Sequence, residues 1–136
     1  MANLKKYFLY ILIPIAIGSC KKYPDDQKSP HLESPEGRLC RGDWVYMHTY
    51  NTVKNTAIGY FIEGRISFSR HKKVFEGKKQ PFNFNGTWEL TNKKKNLVLT
   101  DDKGNATEYI INQLDHDHLA FSNDSLRFDF TPKEPG

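Results

Sequence analysis

The chain has 136 residues, which is enough for one domain and too few for two. Charged residues make up 26% of it and apolar residues 38%, a composition typical of a soluble domain. The formal net charge is +4, but two lysines lie in an N-terminal segment that is predicted to be removed, which leaves 18 basic and 16 acidic side chains. So small a positive excess argues against a nucleic-acid partner.

Residues 1–19 have the proportions of a secretory signal peptide. Lys5 and Lys6 precede an apolar run over residues 7–18, which is shorter than the roughly 20 residues that a membrane-spanning helix needs. The run ends in Ile-Gly-Ser before Cys20, and small residues directly before a cysteine resemble the lipobox of bacterial lipoproteins. The resemblance implies that Cys20 is acylated, becomes the mature N-terminus and anchors the protein to the outer membrane, on its periplasmic or cell-surface side.

The two cysteines leave a second interpretation open. In a secreted protein that is not acylated, Cys20 and Cys40 could form a disulfide bond, whereas acylation of Cys20 leaves Cys40 as a lone thiol. Cys40 has no adjacent histidine, which favours a small half-buried residue over a nucleophile.

Residues 20–39 contain three prolines, many charges and almost no aliphatic side chains. Such a segment buries too little apolar surface to fold, so the lipidated cysteine and the residues after it are predicted to form a flexible tether. Extended at about 3.1 Å per residue, the tether would hold the domain some tens of ångströms from a membrane. Asp25 and Asp26 faintly resemble an acidic export signal of surface lipoproteins, but a charged, solvated linker is the favoured interpretation.

The domain itself is predicted over residues 40–132, with residues 133–136 as a tail. The first strand is Asp43–Tyr50, and a period of two places Trp44, Tyr46, His48 and Tyr50 on one face. Residues 57–62 are apolar and are predicted to form either a strand or a flap.

The clearest strand is predicted at Phe82–Leu90, where apolar and polar residues alternate. A helical period would scatter the same aromatic rings around the helix axis. The residues on the apolar face are Phe82, Phe84, Gly86, Trp88 and Leu90.

Short segments with the same alternation follow, separated by polar turns such as 92–96 and 101–105. Leu114 is out of phase with Tyr109 and Ile111, which predicts a β-bulge near Gln113. Seven to eight short strands without a convincing helix predict an all-β fold, an antiparallel up-and-down β-barrel.

Gly42-Asp43-Trp44 opens the first predicted strand, and Gly-x-Trp at the start of a β-barrel resembles the lipocalin signature. Together with later segments such as Gly86–Leu90 and Leu97–Thr100, the pattern is similar to the small lipocalin-like domains of Bacteroidota lipoproteins. The resemblance implies a barrel that binds a small apolar ligand or another component of the cell envelope. The chain is shorter than a full lipocalin and lacks its C-terminal helix, which argues against a wide cup.

A barrel of eight strands is just wide enough to be filled by side chains or to hold one small molecule. Aromatic side chains that bury about 150–250 Å² each favour a mainly filled interior with an apolar cleft at one mouth. The candidate ligand-binding residues of the barrel interior are Trp44, Tyr46, Phe68, Phe84, Trp88, Tyr109, Phe121 and Phe128.

Two other features, a run of metal-binding residue types and three lysine clusters, are weaker indications of a binding site. The run 115–118, Asp-His-Asp-His, has side chains that bind Zn²⁺ or Ni²⁺, but four adjacent residues cannot surround a tetrahedral ion. A solvated turn is therefore favoured, and no metal or other cofactor is expected. Lysine clusters at 72–73, 78–79 and 93–95 fall at predicted turns, where they would contact anionic lipid or acidic glycans, or simply keep the loops soluble.

No nucleophile elbow or phosphate-binding glycine loop is found, so no catalytic residues are predicted and the protein is expected not to be an enzyme. The alternative function is that of a protein-binding inhibitor or interaction module, similar to the small barrel lipoproteins that block host lysozymes. Its partner would be an envelope protein or a host protein.

Overall fold

The structure, a computed structural model, describes residues 22–26, 33–58 and 64–133. The predicted signal peptide and Cys20 lie outside these residues, as do residues 59–62 of the predicted strand or flap and residues 134–136 of the predicted tail. Over the described ranges, no helix is both long enough and apolar enough to span a membrane.

The described residues form one short helix, nine strands and a 3₁₀ turn at His71–Lys73. In chain order, the helix and strands are α1 (Pro35–Leu39), β1 (Trp44–Asn51), β2 (Thr56–Ile58), β3 (Arg65–Ser69), β4 (Val74–Lys78), β5 (Asn85–Thr91), β6 (Asn96–Asp101), β7 (Ala106–Leu114), β8 (Leu119–Ser122) and β9 (Leu126–Pro132).

The strands form one antiparallel sheet that closes on itself. From β3 onward each strand pairs with the next in the chain, and β9 pairs with the whole of β1 to complete the barrel. On the other edge of β1, β3 pairs with the beginning of the strand and β2 with its end. Because β2 and β3 share one place beside β1, the barrel has eight strand positions. The predicted fold class, an antiparallel up-and-down barrel of seven to eight strands, is confirmed.

Neighbouring strands run in opposite directions, so the connections alternate between the two ends of the barrel. One end, which we call the first end, carries α1 and the turns 70–73, 92–95 and 115–118. The opposite end, the second end, carries the connections 52–55, 79–84, 102–105 and 123–125.

The side chains on β6 and β7 alternate between core and solvent as the sequence pattern predicts. Leu97, Leu99, Tyr109 and Ile111 are all buried. The pairing of β7 with β8 shifts between Ile111 and Gln113, and the shift brings Leu114 back into the core. The predicted bulge near Gln113 is therefore confirmed.

The predicted face of β1 is correct only for its first half. The pairing with β9 shifts between Tyr46 and His48, and one extra residue reverses the alternation beyond it. Thr49 is buried and accepts or donates a hydrogen bond at the Tyr46 hydroxyl, whereas Tyr50 is exposed. The prediction that His48 and Tyr50 share one face with Trp44 and Tyr46 is wrong.

The strand predicted at Phe82–Leu90 is present as β5, but β5 begins three residues later than predicted, at Asn85. Residues 82–84 instead cross closely over Gly77, whose N–H donates to the Phe84 carbonyl at 3.0 Å. A Cβ at Gly77 would collide with the carbonyl oxygen of Phe82, so glycine is required at this crossing. Phe82 is buried, but Phe84 is 38% exposed, and its predicted place in the barrel interior is wrong.

The prediction of a flexible tether is wrong for two segments, which belong to the folded domain. Residues 22–26, which we call the strap, lie along the barrel, and Tyr23 is only 1% exposed. The Tyr23 hydroxyl donates to the Lys94 carbonyl at 2.7 Å, and the Leu114 N–H donates to Asp26 Oδ1 at 2.7 Å. These bonds satisfy backbone groups at the first end of the barrel.

The second segment is α1, which covers the first end. Ser34 caps it by accepting the Gly37 N–H, and Pro35 stands at its first turn. Leu39 is fully buried, and its carbonyl accepts the Trp44 indole N–H at 2.9 Å. The Arg38 guanidinium donates to the Leu114 carbonyl at 2.8 Å and lies 3.8 Å from the Asp26 carboxylate.

Candidate functional site

The barrel interior holds seven of the eight predicted interior residues, none more than 8% exposed. They belong to one core cluster with other apolar side chains. Ligand binding by these residues stays a prediction. The seven are Trp44, Tyr46, Phe68, Trp88, Tyr109, Phe121 and Phe128.

Phe82 fills the interior at the second end. It comes from the connection between β4 and β5, yet its ring lies 6.2 Å from that of Tyr109 on β7, 5.5 Å from that of Phe121 on β8 and 4.9 Å from that of Phe128 on β9. These strands lie on the opposite side of the barrel, so the ring reaches across it. The alternation in the sequence predicts that Phe82 faces inward, but gives no sign that it projects from a loop.

Val53, Ile58 and Phe84 are exposed at the same end, and we call these side chains the apolar rim. Val53, in the connection from β1 to β2, is 78% exposed. Ile58 in β2 is 39% exposed, and Phe84 is 38% exposed although its ring lies 5.6 Å from that of Phe75. Phe84 is therefore a residue of the mouth and not of the interior.

A buried carboxylate lies on the outer face of β9, between Phe128 and Phe130, which face inward. Asp129 is 2% exposed, and its Oδ1 lies 2.7 Å from His118 Nε2. Its Oδ2 accepts the Arg127 Nε–H at 3.2 Å and lies 3.6 Å from His48 Nε2. Burial alone would raise the pKa of Asp129, but the hydrogen bonds from His118 and Arg127 outweigh burial and hold the pKa below its ordinary value.

The same network holds the strap. Arg127 Nη1 donates to Asp25 Oδ2 at 2.6 Å, and the Asp25 N–H donates to the Asn112 carbonyl at 2.9 Å. A shallow cleft of about 340 Å³ adjoins Arg127 and Asp129 and is also lined by Tyr50, Thr52 and Asn55. The Asp129 carboxylate contacts the side chains of His118, Arg127 and His48, and it therefore holds these three side chains in position.

The turn 115–118 is not a simple solvated turn, and the prediction is wrong for two of its residues. Asp115 is 3% exposed and accepts the Asp117 N–H at 2.9 Å and the Gln113 side-chain amide at 2.7 Å. His118 turns to Asp129, whereas His116 Nδ1 lies 2.6 Å from Arg41 Nη1. Over the described residues, no three potential ligands are grouped so that they could hold a metal ion.

Cys40 is a half-buried free thiol at the end of α1. Burial raises its pKa to about 11, so very little thiolate forms near neutral pH. This environment is unsuited to a nucleophile.

A groove of about 520 Å³ is lined by the strap and by neighbouring residues of the barrel at the first end, and we call it the strap groove. Lys22 and Pro24 form its strap side, and Lys95 lies in the turn between β5 and β6. Ile110 on β7 contributes an apolar wall and is 55% exposed. This groove could not be predicted from the sequence, because the strap has the composition of a linker.

Compared with known proteins, the sequence matches no protein-family model and shows no significant similarity to a curated protein.

Proposed function

We propose that this protein is a lipoprotein of the cell envelope, acylated at Cys20, whose barrel is a non-enzymatic binding module for another envelope protein. The observation that carries the proposal is the second end of the barrel. There Phe82 fills the interior while the apolar rim of Val53, Ile58 and Phe84 stays exposed.

The filled interior favours binding at the surface over binding inside. A ligand that entered at the second end would have to displace the Phe82 ring, which has five aromatic neighbours at 4.9–6.2 Å. A partner that covered the rim would displace only water from apolar side chains, at a gain of roughly 25 cal/mol per Å² of apolar surface buried. A contiguous patch of exposed apolar groups is typical of an interaction site.

The position of the strap also indicates how the anchored protein would be oriented on the membrane. Lys22 and Tyr23 bond to the carbonyls of Lys93 and Lys94 at the first end, and Cys20 precedes Lys22 by two residues. An acyl anchor at Cys20 would therefore hold the first end near the membrane and leave the apolar rim facing away. Stable anchoring needs more than one acyl chain, which the lipoprotein pathway would supply.

Site-specific photocrosslinking in cells tests the binding site. A photoreactive phenylalanine analogue in place of Val53 or Phe84 is expected to give a discrete protein adduct. The matched control is Val74, which is 41% exposed near the first end and should give none. Adducts of equal yield at all three positions, or none at Val53 and Phe84, would contradict the proposal.

The anchor is tested by the intact mass of the protein extracted from membranes and by the variant Cys20→Ala. We expect the mass of diacyl or triacyl modification at the mature N-terminus, and release of the variant from the membrane fraction. Unchanged membrane association of Cys20→Ala would rule out acylation as the anchor.

A second candidate function is the binding of a small apolar ligand in the interior. It is favoured by the position of Phe82 on a connection whose other residues are exposed or half-buried, so that Phe82 is the one buried side chain of that connection. Native mass spectrometry of protein extracted from cells would show a retained small molecule. Detection of the bare protein mass alone would favour the surface-binding function.

A further inference from the structure

The turns at the two ends of the barrel differ in charge. The turns at the first end, 70–73, 92–95 and 115–118, contain six Lys or Arg residues and two Asp residues. The connections at the second end contain three lysines and two Asp residues. The more positive end is also the end on which the strap lies, and therefore the end nearest Cys20.

Within the first end, the positive charge borders an apolar surface. Lys22 and Lys95 both line the strap groove, and both lysines are exposed. Lys94 differs from them, because its ammonium group is paired with Glu36 at 3.0 Å. Lys22 donates one hydrogen bond to the Lys93 carbonyl at 2.6 Å, which leaves further ammonium donors for another acceptor.

The apolar part of the groove distinguishes it from a simple cluster of lysines. Ile110 exposes 55% of its surface there, next to the exposed Pro24. A volume of about 520 Å³ lies in the range typical of small-molecule sites. Two cations beside an apolar wall complement a molecule with a phosphate next to hydrocarbon.

We propose that the strap groove binds the headgroup of an anionic phospholipid in the membrane to which the protein is anchored. Lys22 and Lys95 pair with the phosphate, and Ile110 and Pro24 contact the glycerol and the first methylene groups of the acyl chains. The inference rests on the proposed anchoring at Cys20, which brings the groove to the lipid surface. Lysines close to an anionic surface are each worth a factor of about five in binding.

The test uses the chain from residue 20 onward with Cys20→Ala, so that acylation cannot contribute to binding. Co-sedimentation is measured with vesicles of phosphatidylglycerol and phosphatidylcholine, and with vesicles of phosphatidylcholine alone. We expect binding to the anionic vesicles only, and we expect it to weaken as salt is added. The double variant Lys22→Ala/Lys95→Ala should bind about 25-fold more weakly.

Two controls locate the site. The variant Lys54→Ala/Lys103→Ala removes two lysines from the second end and should leave vesicle binding unchanged. Ile110→Gln keeps every charge and should weaken binding several-fold if the groove holds lipid. Equal effects of the two lysine pairs, or no effect of Ile110→Gln, would overturn the groove as the binding site. Unchanged melting temperatures would show that the variants are folded.

A further arm separates a lipid from free phosphate. Inorganic phosphate is compared with chloride at equal ionic strength as a competitor of vesicle binding. Preferential displacement by phosphate would assign the groove to a soluble anion and overturn the membrane proposal, whereas equal weak competition supports it. A Cys20 without acyl groups would contradict the anchoring alone, since the vesicle experiment uses the unacylated chain.

Discussion

Phe82 contacts rings from three strands and from its own connection, so its side chain contributes strongly to the barrel interior. Removing it should leave a cavity that the surrounding rings cannot fill. We expect Phe82→Ala to lower the free energy of unfolding by about 4 kcal/mol, measured by urea denaturation. Phe84→Ala is the matched control, because Phe84 is 38% exposed, and it should cost about 1 kcal/mol or less. Equal losses would contradict the assignment of Phe82 to the interior.

Asp129 makes stability depend on pH. Its pKa in the folded protein is lowered, so the ionised carboxylate stabilises the fold at pH values above the unfolded value of about 4. This contribution is lost as the pH falls through the folded pKa. Asp129→Asn should therefore lower the free energy of unfolding by about 2 kcal/mol near neutral pH, because charged hydrogen bonds from His118 and Arg127 are weakened.

The measurement is urea denaturation of both proteins between about pH 7 and about pH 3. The difference between parent and Asp129→Asn should shrink toward the acid end. Asp102→Asn, in the exposed turn between β6 and β7, is the control and should show little difference at any pH. A difference that stays constant down to the acid end would show that the charge of Asp129 does not stabilise the fold.

Among the elements, the strands that depend on local alternation could be predicted from the sequence. β6 and β7 follow the period of two, and the bulge in β7 could be predicted because Leu114 is out of phase with Tyr109 and Ile111. β1 contains a similar shift, but His48 and Tyr50 are aromatic and continue the apparent pattern, so nothing in the sequence marks it. At residues 82–84 the alternation is right for Phe82 and wrong for Phe84, because the path of the chain depends on Gly77.

The strap could not be predicted because its contacts are to distant parts of the chain. Its prolines and charges are those of a linker, while its hydrogen-bond partners, among them the backbone groups of Lys94 and Leu114, lie 71 and 88 residues farther along the chain. Asp25 and Asp26 illustrate the difficulty. Two adjacent acidic residues predict a solvent-exposed segment, yet Asp25 binds Arg127 and Asp26 is 4% exposed.

The strap therefore contributes to stability, and Asp26→Ala tests this. The change removes the acceptor of the Leu114 N–H and leaves the Arg38 guanidinium, which is 3% exposed, without its nearby carboxylate. We expect a loss of about 3 kcal/mol in the free energy of unfolding and faster hydrogen exchange at the Leu114 amide. Glu33→Ala is the control, because its ion pair with Arg41 is well exposed and should be worth almost nothing. Unchanged exchange at Leu114 would show that the strap does not hold this strand end.

For the whole molecule, the closed barrel follows from repeated alternation, but its functional surfaces do not. The interior set was largely predictable, since seven of eight residues are buried, whereas the strap groove joins residues 22–24 to residues far along the chain. The lysines illustrate the limit. Sequence places the groups at 72–73, 78–79 and 93–95 in turns, but only the strand order shows that the first and third lie at one end and 78–79 leads into the other.

The orientation of the acylated protein on a membrane provides the last prediction. Lys22 lies at the first end, and its Cα can be at most about 7.6 Å from that of Cys20, because consecutive Cα atoms are about 3.8 Å apart. The second end lies about 20–30 Å farther from Cys20 than the first end does, because β7, which joins the two ends, has nine residues. A fluorophore attached at Lys95→Cys should therefore be quenched by a quencher carried on lipid headgroups, and one at Lys103→Cys should not. Both variants carry Cys40→Ser so that one thiol is labelled. Equal, weak quenching at the two positions would mean that the strap detaches and the segment acts as a long tether.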